Sequence, residues 1–209
     1  MGSLDDRTDD GLLATAAARL DGAALRAVVL VEGASDQAAV ETLAARRGRD
    51  LPAEGVVVVA MGGATNITRY LEVFGPHGAD VRLSGLCDAQ ELPVFRRGLE
   101  RAGLGRVTSR EDLEALGFFV CDADLEDELI RALGVEAVEH VVTEAGELRS
   151  LRTLQKQAAQ QGRGSVAQLR RFIGSRGGRK IRYGQLLVDA LDLDRVPAPL
   201  DAVLERVQP

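Results

Sequence analysis

The chain has 209 residues, 45% of them hydrophobic, and 26 basic against 32 acidic side chains give a formal net charge of −6. That length holds one well-buried α/β domain with a smaller appendage. No stretch nears the run of about eighteen apolar residues of a membrane span, and the acidic, polar start from Met1 to Asp10 lacks the basic-then-apolar order of a secretory signal.

A short leading helix is predicted over Leu12 to Leu20, capped by Asp9 or Asp10, packed on the outside and stopped near Gly22. Next come a strand from Ala27 to Val31, a helix opened by Ser35 with Ala39, Val40 and Leu43 on one face, and a second strand, Val56 to Val59. Gly62-Gly63 reads as a turn. A helix from about Asn66 to Phe74, a strand ending at Asp88, a helix near Val94 to Ala102 and a strand from Phe118 to Asp122 repeat the alternation. Alternating strands and helices predict an α/β fold: a Rossmann-like parallel sheet with helices on both faces. After Gly134 the strand signal fades. Helices near Leu148 to Gln161, Val166 to Ile173 and Ile181 to Leu191 form a C-terminal helical tail, with flexible joints at Gly162, Gly164 and Gly174 to Gly178. Pro197 and Pro199 set off a last helix through Leu204. This gives a helical extension over 1–25, an α/β domain over 26–147 and a basic helical region over 148–209.

Three of the apolar runs end in a carboxylate: Glu32, Asp88 and Asp122. Open α/β sheets bind ligands beyond the carboxyl ends of their strands, so these acids are expected to converge. Carboxylates gathered at one spot repel one another unless a hard cation such as Mg²⁺ neutralises them, which points to phosphoryl transfer. Each cluster also has a plainer reading. Ser35 or Asp36 can be a helix cap, Asp88 and Glu91 a capping box, and Asp122 to Glu128 a solvated helix start.

The average charge hides a division, because Arg149 to Arg182 contains ten basic residues and no acid. A basic module following an acidic one fits a nucleic-acid partner, although solvated helix faces account for the same composition. Cys87 and Cys121 lie inside apolar runs and are expected to be reduced. With only His77 and His140, neither a zinc site nor a Ser-His-Asp arrangement is expected, and no Gly-x-x-x-x-Gly-Lys-Ser/Thr loop occurs. The expectation is a cytoplasmic protein without membrane contact.

Val31-Glu32-Gly33-Ala34-Ser35-Asp36, Gly62-Gly63-Ala64-Thr65-Asn66-Ile67-Thr68-Arg69-Tyr70, Asp88, and Asp124-Leu125-Glu126-Asp127-Glu128-Leu129 resemble, in that order, the topoisomerase-primase (TOPRIM) domain. The flavour is that of the overcoming-lysogenization-defect (OLD) nucleases. The match covers about Ala27 to Leu133, with a looser likeness through Lys180-Ile181-Arg182-Tyr183-Gly184. The resemblance implies a four-stranded parallel core, one or two Mg²⁺ or Mn²⁺ ions and DNA phosphodiester cleavage by a two-metal endonuclease or nickase. It implies that Glu32 and Asp88 hold the principal metal, that Asp36, Asp124 and Glu126 complete a second, and that Glu32 and Lys180 are catalytic, with Lys180 at the scissile phosphate. Arg176, Arg179 and Arg182 would hold the DNA backbone. The family pattern has Asp-x-Asp where this chain has Asp88-Ala89-Gln90, so a catalytically weak nucleic-acid-binding or regulatory module is the alternative. An unrelated doubly wound phosphatase is a third. The sequence encodes no ATPase, so either an ATPase partner acts in trans or the protein is a freestanding version, and a homodimer is among the assemblies allowed.

Overall fold

The computed structural model describes residues 11, 14–16, 18, 19 and 24–209. The first of its parallel strands is β1 (Ala27–Val31), wholly buried, followed by α1 (Ala34–Arg46) and β2 (Val56–Ala60). A 3-10 turn at Ala64–Asn66 leads into α2 (Ile67–Phe74), then β3 (Arg82–Asp88), α3 (Leu92–Arg101), α4 (Arg110–Ala115) and β4 (Phe118–Cys121). Six further helices complete the chain: α5 (Leu125–Leu133), α6 (Val135–Glu144), α7 (Leu148–Gln155), α8 (Ser165–Ile173), α9 (Gly177–Ala190) and α10 (Ala198–Glu205).

The sheet order is β2-β1-β3-β4, with every pairing parallel. The β1-α1-β2 unit goes one way from β1, whereas β3 lies on the other side of β1. The carboxyl ends of β1 and β3 therefore flank the topological switch point, where open α/β sheets place their ligands. The apolar runs carry no polar alternation because both faces are covered. Ala27, Val29 and Val31 pack with α1 and α5 to α10, while Val28 and Leu30 pack with α2, α3 and α4. Gly85 permits the β1–β3 approach, since a Cβ there would stand 2.6 Å from the Leu30 carbonyl oxygen.

Four sequence expectations are corrected or bounded. The leading helix falls mostly outside the described residues; of its span residues 14–16 are helical, and Ala16 is buried in the second core cluster rather than lying outside it. Helix α9 begins at Gly177, so the joint between α8 and α9 is confined to residues 174–176; backbone N–H groups in the first turn have no intrahelical partner, so glycine costs little there. Helices α4 and α6 were not anticipated. The predicted C-terminal helical tail is packed into the core. Leu151, Leu169, Phe172, Tyr183, Leu187 and Leu200 share one core cluster with β1 and α1, and Arg49 donates to the Leu204 carbonyl at 2.8 Å, fastening the last helix.

Candidate metal centre

Glu32 follows β1 directly, and its backbone carbonyl accepts N–H groups from Gly62 (3.0 Å) and Gly63 (3.1 Å). Both glycines take positive φ, 73° and 125°, which side chains with a Cβ rarely adopt, so the turn after β2 fixes the end of β1. Among the described residues the Glu32 carboxylate has no hydrogen-bond or ion-pair partner. One turn into α1, Asp36 accepts the Gly33 N–H at 2.9 Å. Its carboxyl is nevertheless pushed up to about 6, first by burial and then by Glu126 and Glu32, against the opposing pull of Lys180 and the Gly33 bond.

At the second cluster Asp88 does not act as a cap. It occupies the cap position of the 3-10 turn Ala89–Glu91, yet its side chain makes no capping bond. Burial, and next the negative charges of Glu32, Asp36, Asp124 and Glu126, raise its carboxyl to about 7. Acids from three distant segments thus act on one another at the switch point. That is the signature of like charges confined in a poorly solvated space.

At the third cluster the acids are answered from the helical region. Asp124 caps α5 by accepting the Asp127 N–H (2.8 Å), while its other oxygen takes Arg170 Nε at 2.7 Å. Glu126 is 3% exposed. Its Oε2 lies 3.2 Å from Lys180 Nζ as an ion pair, without the alignment of a hydrogen bond. Burial pushes the Glu126 carboxyl up while Lys180 opposes the rise. Burial alone would lower the Lys180 ammonium, but Glu126, Asp36 and Asp124 outweigh it and hold it above its ordinary value. Lys180 reaches this place because α9 crosses α1 closely at Gly184, where a Cβ would stand 2.5 Å from the Ser35 carbonyl oxygen.

Glu32, Asp36, Asp88, Asp124, Glu126 and Lys180 therefore act on one another at one edge, although among the described residues no three acids are drawn into a closed ligand group. Asp122, the acid that ends β4, is not one of them. It is exposed and spent on Arg110 (3.0 Å) and Arg131 (3.7 Å). Gln90 is exposed beyond Asp88. The three arginines singled out in the sequence differ in placement. Arg179 bonds Glu147 (2.6 Å) and lies 4.1 Å over the Phe172 ring, Arg182 reaches Glu147 at 3.4 Å, and Arg176 lines an open cavity. Sequence reasoning missed Arg163, Arg170 and Arg171, which line a cavity of about 400 Å³ with Asp124, Glu126 and Lys180. Their only signal was membership of the acid-free run. Cys87 and Cys121 are buried free thiols on opposite faces of the sheet, with Cys87 pushed up to about 12 by burial.

A parallel sheet with acids at its switch point, met by a lysine from a packed helical region, is a doubly wound α/β arrangement. Residues 25–89 match the family model of the overcoming lysogenization defect protein-like TOPRIM domain. The fold is similar to the C-terminal region of the Xanthomonas campestris pv. campestris OLD protein, at 28% identity with a TM-score of 0.67 over 87% of this chain and 94% of that one. A second structure of the same region gives 27% and 0.68, over 87% and 91%. The C-terminal region of the Burkholderia pseudomallei OLD protein is similar at 25% identity and a TM-score of 0.61, over 88% of this chain and 96% of that one. No curated protein matches the chain in sequence. The match over residues 25–89 is thus to an OLD-like TOPRIM domain, and the fold around it is similar to the C-terminal region of OLD proteins. Among the described residues no helix is long and apolar enough to cross a membrane.

Proposed function

We propose that the protein is a divalent-metal-dependent DNA endonuclease or nickase. The observation that carries this reading is the raised carboxyl of Asp88, held up by burial and by four other carboxylates. Such a donor set fits Mg²⁺ or Mn²⁺, hard cations that take oxygen ligands and relieve the repulsion. Glu32 and Asp88, both free of internal partners, would hold the principal ion; Asp36, Asp124 and Glu126 would complete a second. Ions bound there would activate a water molecule and shield the leaving oxygen.

The chain's own groups supply the rest. Lys180, held charged by Glu126 and Asp36, stands beside the carboxylates as a cation for the phosphoryl oxygens of the scissile group. Arg170 neutralises Asp124 and lines the same cavity, so a phosphate entering between Arg163, Arg170 and Lys180 meets positive charge before it meets the acids. This order matters, because a bare carboxylate cluster repels a phosphodiester. An ATPase acting with the protein, a cytoplasmic location and a homodimer belong to the same reading.

Incubation of the protein with supercoiled plasmid and Mn²⁺ tests it. Nicked or linear product is expected from the wild type and is lost in Glu32→Gln and Asp88→Asn. Intact plasmid, or equal cutting by all three proteins, rejects the nuclease. The second reading, a module that binds nucleic acid without turnover, is favoured by the neutral, exposed Gln90 where the family pattern has an acid. It would show as salt-sensitive DNA binding with the plasmid left whole.

A further inference from the structure

The ten basic residues between Arg149 and Arg182 separate into two groups when sorted by partner. Arg152 pairs with Glu139 (2.6 Å), Arg170 with Asp124 (2.5 Å), Arg179 and Arg182 with Glu147 (2.6 and 3.4 Å), and Lys180 with Glu126 (3.2 Å). Arg149, Lys156, Arg163, Arg171 and Arg176 have no side-chain hydrogen bond or ion pair to any described residue. Three of these five unanswered charges, Arg149, Arg171 and Arg176, line one cavity of about 450 Å³ between α7, α8 and the start of α9. Ser150, Thr153 and Ser175 add hydroxyls to its wall, and no carboxylate lines it. Phe172, with the Arg179 guanidinium over its ring, lies among the lining residues and ties that wall to the core.

Guanidinium groups converging on a concavity without a counter-charge repel one another, and a phosphate relieves this with hydrogen bonds to several planar forks. The position of the cavity says more. Arg171 also lines the cavity of Asp124, Glu126 and Lys180. Two hollows sharing one arginine, one beside the acids and one beyond them, suit a chain of phosphates rather than a single small anion.

We propose that the second cavity is a backbone subsite for the nucleic-acid strand: with one phosphodiester beside the carboxylates, the flanking phosphates rest on Arg171, Arg149 and Arg176. This rests on the nucleic-acid reading above and deepens it. The subsite sets the path of the strand past the cluster, and Arg149 and Arg171 are binding residues that touch no metal ligand directly.

The test is binding of a fluorescently labelled DNA oligonucleotide, in Mn²⁺, to the full chain across a salt series. Arg149→Ala with Arg171→Ala is expected to weaken binding about tenfold or more and to flatten the slope of log K against log salt by about two, one per lost phosphate contact. Mn²⁺ binding by calorimetry and the thermal midpoint should hold, since neither arginine has an internal partner; the single Arg149→Ala change serves if the double variant unfolds. Arg96→Ala with Arg97→Ala, on the exposed side of α3, is the control and should leave binding unchanged. Wild-type affinity and slope in the double variant overturn the subsite while the nucleic-acid reading stands. Equal weakening by the control pair overturns it in favour of diffuse charge. Inorganic phosphate binding that the double change abolishes, with oligonucleotide binding unmoved, overturns the strand assignment in favour of a free-phosphate site. A wild type that binds no oligonucleotide sinks the nucleic-acid reading and this subsite together.

Discussion

The carboxyl edge of the sheet and the helical region beside it carry opposite charge, and each leaves part of it unanswered in a different way. At the sheet edge Glu32, Asp36, Asp88, Asp124 and Glu126 are crowded together, so the fold raises the carboxyls of Asp36, Asp88 and Glu126 and spends Arg170 on Asp124 and Lys180 on Glu126. On α7 to α9 the unpaired arginines are exposed to solvent, and their mutual repulsion is screened. The first region therefore costs the metal-free fold stability and the second costs it little. Crowded, desolvated like charges gather preferentially at binding and catalytic sites, whereas an exposed basic wall is a cheap guide for a polyanion. Cation and nucleic acid should act on the two regions separately.

Asp88→Asn breaks the comparison most strongly if it is wrong. Removing a charge worth about 3 kcal/mol of transition-state stabilisation should cut plasmid cleavage about a hundredfold or more. The same change should raise the metal-free midpoint at pH 8, because a neutral amide no longer repels four acids, and should erase the stabilisation that Mn²⁺ gives the wild type. Thermal melts of both proteins with and without Mn²⁺ read this directly. A metal-free variant less stable than the wild type would mean that the edge is not in conflict.

The pH dependence follows from the same groups. Free carboxyls titrate near 3.8, whereas those of Asp36 and Asp88 titrate near 6 and 7 in the fold. Between these values the folded chain holds protons that the unfolded chain has released, so the contribution of Asp36 and Asp88 to metal-free stability is fully present below about pH 4, falls as pH rises to about 7, and is flat above. Mn²⁺ competes with those protons, so the midpoint gain on adding Mn²⁺ should grow from pH 5 to pH 8. Asp88→Asn should remove the upper part of the fall. Melts at several pH values, with and without metal, check both slopes.

Gly184→Val sharpens the comparison by disturbing the contact that joins the regions. A Cβ at 2.5 Å from the Ser35 carbonyl oxygen forces α9 off α1, an overpacking that should cost about 1–3 kcal/mol. For a chain of this size that lowers the midpoint by about 2–4 °C per kcal/mol. Lys180 moves with α9, so cleavage should fall further than stability alone explains, while oligonucleotide binding through Arg149 and Arg171 is retained.

The sheet and its switch point were legible in the sequence because strands buried on both faces read as unbroken apolar runs, as Val28 to Val31 and Val56 to Val59 do. Glu32 and Asp88 were legible for the same reason, standing at the ends of adjacent strands. The third acid was harder. The run through Cys121 ends at Asp122, but the carboxylate whose charge reaches Asp88 is Asp124, which also caps α5, and a strand end locates such an acid only to within a turn. Helix α4 has six residues and mostly polar ones, so its sole mark was the box of Ser109 with Asp112. The pairing of Arg170 with Asp124 spans 46 positions, and nothing local in either segment encodes it. Composition showed that the run was basic, but only packing shows which arginines have partners.

Tyr183 gives the smallest effect and the finest probe of the boundary between the regions. It lies on α9 one turn after Lys180, fully buried, edge-on to Phe172 at 6.1 Å, and its hydroxyl has no hydrogen-bond partner among the described residues. Burial, followed by the nearby Glu147, pushes that hydroxyl up to about 12, so it stays protonated at any working pH. An unpaired buried hydroxyl costs the fold its desolvation, and Tyr183→Phe keeps the ring packing while removing the group. The variant should therefore be equal to the wild type or more stable, by up to about 1 kcal/mol, with cleavage and oligonucleotide binding unchanged. A loss of stability would show that the hydroxyl serves the α9 packing through a partner. A loss of cleavage at unchanged stability would place Tyr183 in the machinery with Lys180 and extend the acid edge one turn further along α9.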